Sequence, residues 1–91
     1  MIRWNEDKNQ WLMRERGVSF QEIADTILRG EYIDILENPT RPNQDIFIMR
    51  IHSYKWVVPF VIDERESIYL LTAFPSRKFH KHYGGKGEYS T

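Results

Sequence analysis

The apolar residues of this chain change their repeat near residue 30, and that change decides the class of fold open to it. Before it, Phe20, Ile23, Ala24, Ile27 and Leu28 recur at i, i+3, i+4, i+7 and i+8, a single stripe on a helix. Ser19 and Glu22 stand at capping-box spacing in front of the stripe, and Gly30 supplies a stop. Beyond it, residues 32–36 and segments at about 45–52, 55–62 and 68–74 read as strands. Turn-forming residues 37–43 separate the first two of these, and Asp63-Glu64-Arg65-Glu66 forms a polar hairpin loop between the last two. Helices followed by a meander predict an α+β fold with a mainly antiparallel, four-stranded sheet, covered by helices on one face and partly open on the other.

The N-terminal segment adds a second helix. Ile2-Arg3-Trp4 reads as a short extra strand, Asn5 as an N-cap, and Glu6 and Asp7 suit the positive end of a helix dipole. That helix runs to about Arg16, where Gly17 fits a left-handed C′ position. Trp4, Trp11, Leu12 and Val18 are its expected core contacts. At the other end, Ser76 can cap a short helix from Arg77 to about Tyr83. Pro59 falls inside a predicted strand, so it requires an edge, a bulge or an unpaired ladder position.

Ninety-one residues suffice for one domain. The expected division is a single domain over residues 1–83 and a flexible glycine-bearing tail over 84–91. With 41% hydrophobic and 14% aromatic residues the chain can build a core. The absence of cysteine excludes disulfides, thiolate metal sites and a cysteine nucleophile, and fits a reducing compartment. No apolar run reaches the length of a membrane span and the start lacks a signal-peptide core, so a cytoplasmic protein without a membrane partner is expected. Net charge is zero but uneven: residues 1–40 hold five Lys/Arg and eight Asp/Glu, residues 41–91 eight and five. The basic second half suits contact with phosphates, and ordinary surface scatter gives the same pattern.

Two motifs at matching separation carry a family resemblance. Trp4-Asn5-Glu6-Asp7-Lys8-Asn9 resembles the W-D-x-x-K-N opening of the BrnT family, and Arg16-Gly17-Val18-Ser19-Phe20-Gln21-Glu22 is similar to its H-G-V-S-F-E-E signature. Pro75-Ser76-Arg77-Lys78 looks like the segment after the family's last strand, so the resemblance spans roughly residues 3–83. It implies a RelE-like fold and the toxin of a type II toxin–antitoxin pair. It further implies RNA cleavage that arrests translation, neutralisation by a cognate antitoxin, and operator DNA contacted only through the antitoxin complex. The largely apolar strand 68–74 and the zero net charge depart from the family pattern. They motivate an alternative, a non-catalytic binding module of the same fold acting as co-repressor.

Metal-independent RNA cleavage uses the 2′-hydroxyl as nucleophile on the adjacent phosphate. The protein must help remove that proton, stabilise charge on the phosphoryl oxygens and protonate the leaving oxygen. Arg77 is the first candidate for the phosphate, because a guanidinium binds phosphate oxygens in a fork and stays charged. Lys78 or Lys81 would assist it. The spacing from Arg77 to Tyr83 looks similar to an Arg–Tyr pairing of RelE-type toxins, with Tyr83 orienting the 2′-hydroxyl or stacking on a base. His80 or His82 supplies an acid or base. On the strand 45–52, Arg50 and His52 share a face with Ile46 and Ile48, opposite the wholly apolar Phe47, Met49 and Ile51, and are the second cluster for RNA. The competing reading is a solvated basic face with Tyr83 packed on the sheet. His80-x-His82 at i, i+2 on a helix does not converge on one ion, so no metal or cofactor is expected. Lys8 and Arg16 read as structural or antitoxin-facing. The exposed sheet face and edges leave room for a homodimer or an antitoxin contact.

Overall fold

The computed structural model describes residues 1–81. The expected tail 84–91, together with His82 and Tyr83, lies outside the described residues. Strand β1 (Ile2–Trp4) leads into helices α1 (Glu6–Arg16) and α2 (Phe20–Leu28). Strands β2 (Asp34–Glu37), β3 (Asp45–Ile51), β4 (Tyr54–Ile62), β5 (Ile68–Leu70) and β6 (Phe74–Pro75) follow, then a short helix α3 (Arg77–Phe79).

The caps form as the sequence requires. The Asn5 side chain accepts from the Lys8 N–H at 2.9 Å. Ser19 and Glu22 exchange both bonds of the capping box, Glu22 N–H to Ser19 Oγ at 3.2 Å and Ser19 N–H to Glu22 Oε2 at 2.9 Å. Gly17 closes α1 at φ 70°, a left-handed conformation that a side chain would strain.

The sheet runs β1-β5-β4-β3-β2, and β6 pairs with β4 beside β5. It is antiparallel except at β1–β5, which is parallel. Leu12, Val18, Phe20 and Ile23 of the helical layer meet Phe47, Met49, Ile51, Trp56, Val58 and Phe60 of β3 and β4 in the main core, and Trp4 and Trp11 pack against its rim. The apolar set Phe47, Met49 and Ile51 thus faces the helices, as the alternation requires.

Two expectations are corrected. The sheet has six strands, because β1 joins it and the run 68–74 divides into β5 and β6. Pro59 explains where that run breaks: its carbonyl accepts from the Leu71 N–H at 2.9 Å, so its backbone faces β5 and β6, and the donor it lacks falls where their ladder is interrupted. Pro59 sits on a central strand and still leaves one ladder position unpaired. The face away from α1 and α2 is partly open as expected, its covered part being Ile46, Ile48 and Val57 under Leu36 and Phe79. Second, β3 ends at Ile51. His52 and Ser53 both take positive φ, 52° and 70°, in a two-residue turn of the primed type that suits the twist of a hairpin.

Candidate functional site

The C-terminal segment is fastened to the start of β4 by backbone, cap and ring contacts. β6 aligns Pro75 with Trp56 and Phe74 with Val57. The Ser76 N–H then donates to the Lys55 carbonyl at 3.0 Å, and Ser76 Oγ accepts from the Phe79 N–H at 3.3 Å. Phe79 drops onto the cluster of Ile46, Ile48 and Val57. The His80 ring stacks on Tyr54 with centroids 4.2 Å apart and planes 12° from parallel. Its Nδ1 is buried and makes no hydrogen bond among the described residues.

This anchoring leaves the charged side chains of the segment outward. The Arg77 side chain is exposed and makes no hydrogen bond or ion pair among the described residues, while its carbonyl accepts from the His80 N–H. Lys78 is exposed, its ammonium 5.6 Å from the Phe79 ring centroid, and Lys81 is exposed too. Next to Tyr54 stands Lys55, only 1% exposed and directly across the ladder from exposed Arg50. The hairpin end of β3–β4 therefore gathers Arg50, Tyr54 and Lys55 with His80, in a segment that also carries Arg77 and Lys78. Tyr54 and Lys55 were not singled out in the sequence. A lysine between Tyr54 and Trp56, in phase with Val57, was the available signal.

His52 goes elsewhere. The turn takes it out of the strand alternation that would have placed it beside Arg50 on the outer face, and its Nε2 lies 3.3 Å from Glu22 Oε1 on α2. Together they line a cleft of about 200 Å³ with Asp25, Thr26, Arg29, Arg50 and Ile51. Arg50 is thus the residue at the margin of both regions.

The motif residues near the N-terminus carry structural tasks. Asn9 is fully buried; its Oδ1 accepts from the Phe20 N–H at 2.7 Å and its amide donates to Gln21 at 3.0 Å, tying α1 to the start of α2. The Trp11 ring carries the Lys8 ammonium 4.1 Å and the Arg16 guanidinium 4.7 Å from its centroid. Hydrogen bonds from Gln10, Trp4 and Asn9 hold the Glu6 carboxyl below its ordinary pKa. Asp63 is held low by the Ser67 N–H first, with the Arg65 N–H and the charges of Arg3 and Arg65 added, against an opposing contribution from desolvation. Among the described residues no group of three or more His, Asp and Glu side chains is gathered to hold a metal ion. No helix among them is long and apolar enough to cross a membrane.

These features define an α+β domain with two N-terminal helices on one face of a mixed sheet and a short C-terminal helix on the other, in agreement with the expected fold class. The same fold occurs in the crystal structure of the Brucella abortus ribonuclease toxin BrnT, with a TM-score of 0.60 over 84% of this chain and 97% of that one. The two sequences are 16% identical, so the likeness is one of fold. No protein-family model and no curated protein sequence matches the chain.

Proposed function

We propose that the chain is the toxin of a bacterial type II toxin–antitoxin pair and cleaves RNA without a metal ion, in the cytoplasm, until a cognate antitoxin covers it. The observation that carries this reading is Arg77, a guanidinium left exposed and without an ion pair among the described residues, on a segment fastened at Ser76 and His80. The fold shared with a ribonuclease toxin and the two N-terminal motifs support it. In this reading Arg77 binds the scissile phosphate in a fork and stabilises the charge that develops on its oxygens. Lys78, Lys81 and Arg50 hold flanking phosphates of the strand. A base takes the 2′-hydroxyl proton, the 2′ oxygen bonds to phosphorus, and the bond to the 5′ oxygen breaks as that oxygen gains a proton. The products are a 2′,3′-cyclic phosphate and a 5′-hydroxyl. With Nδ1 of His80 buried, its share in proton transfer runs through Nε2, and Tyr83 orients the attacking hydroxyl. Operator DNA is reached only through the antitoxin, and the edges of the sheet are open to antitoxin or to a second copy.

The test is purified protein incubated with RNA, with and without a translation extract. Cleavage is expected, and R77A is expected to lower kcat by about 10²–10³-fold, the usual loss when one oxyanion-stabilising donor is removed. RNA left intact at large protein excess sinks the nuclease reading.

A second reading, a non-catalytic binding module that acts through its antitoxin as co-repressor, is favoured by the two described imidazoles. His52 is paired with Glu22 and His80 is stacked on Tyr54, so both already serve structural contacts. Expression in a bacterium without the antitoxin separates the readings, because a binding module leaves growth unchanged.

A further inference from the structure

We infer that Arg16 is a positioning residue, a latch from the end of α1 that fixes where β6 and α3 lie and so sets the aim of Arg77. Its activity arm rests on the ribonuclease reading; its structural arm does not. Residues 71–73 belong to neither β5 nor β6, so among the described residues the carbonyl at the end of this break has no strand partner in the ladder. Ala73 is fully buried, where an unsatisfied carbonyl is costly. Arg16 Nη1 donates to that carbonyl at 2.6 Å, across 57 residues of sequence. The donor is itself steadied, because the guanidinium lies over the Trp11 ring at 4.7 Å. A charged donor on a buried acceptor is among the stronger hydrogen bonds a protein makes.

Its position gives the bond its consequence. From Ala73 the chain runs directly through Phe74–Pro75 and Ser76 to Arg77. β6 is two residues long and α3 three, too short to fix their own place. Past the latch, the described hold on the segment is the β6 pairing, the Ser76–Lys55 bond, and the packing of Phe79 and His80. Releasing Ala73 loosens the segment at its root while the β3–β4 ladder stays closed.

Hydrogen exchange read amide by amide, together with RNA cleavage kinetics, tests this on R16M in the full chain. K8M serves as the control that strips the other cation from Trp11 and leaves Ala73 alone. In R16M the amides of Ser76, Phe79 and His80 are expected to exchange about tenfold or more faster relative to those of β3 and β4. kcat is expected to fall about 10- to 100-fold with KM changed by less than about threefold, as for a displaced transition-state contact. K8M leaves both readouts at wild-type values. Unchanged exchange at residues 76–80, or a uniform acceleration across the sheet, overturns the latch. If wild-type protein leaves RNA intact while R16M still loosens residues 76–80 alone, the ribonuclease reading fails and the latch stands.

Discussion

Asn9 is the residue on which the helical layer turns. Its side-chain oxygen serves the first free N–H of α2 at Phe20, both residues fully buried, and its amide serves the exposed Gln21. Replacing it with Leu removes the acceptor and leaves a buried N–H without a partner. N9L is expected to destabilise the fold by about 1–3 kcal/mol, seen as a lower urea midpoint at unchanged slope. Leu12, also fully buried one turn on, is the apolar counterpart. L12A is expected to cost roughly 2–5 kcal/mol in the same measurement, because it opens a cavity between α1 and the sheet. A loss as large from substitution of the exposed α1 residue Met13 contradicts both assignments.

At the scale of elements, the β3–β4 hairpin carries two of the four non-glycine residues with left-handed backbone among the described residues. His52 and Ser53 hold φ of 52° and 70°, where Asn-Gly is the usual pair. S53G is expected to raise stability by about 0.5 kcal/mol, the relief of a left-handed side chain less the added freedom of an unfolded glycine. A higher thermal midpoint checks it, and an unchanged or lower one contradicts it. The elements also differ in how far the sequence announced them. Ser19, Glu22 and the stripe from Phe20 to Leu28 made α2 legible, because a helix is specified by neighbours within two turns. The end of β3 was not legible: the alternation that carried Arg50 outward simply continued to His52, and only the hairpin's closure shows that the turn takes it. Pro59 announced a missing donor without saying which neighbour would feel it.

For the whole molecule, acid stability follows from two carboxylates held low by their surroundings. Asp63 is tied to the backbone of Ser67 and Arg65, and Glu6 to Gln10, Trp4 and Asn9. A carboxyl whose folded pKa lies below its unfolded value contributes stability that is fully present above the unfolded value. That contribution is lost as pH falls toward the folded pKa. The urea midpoint is therefore expected to decline as pH drops through the carboxylate range, and D63N to flatten the decline; a variant with the wild-type slope contradicts the assignment.

Local pattern determined a good deal: both large helices with their caps, the strands of the meander, the α+β class, and the basic character of the C-terminal segment. Each of these depends on residues a few positions apart, whose periodicity can be read directly. The tertiary structure alone decided that β1 lies parallel to β5, that Phe79 covers part of the second face, that Lys55 is buried across from Arg50, and that Arg16 reaches Ala73. These contacts join residues far apart in the chain. Their partners are selected by which surfaces remain to be covered once the core has packed, a condition no short stretch of sequence contains.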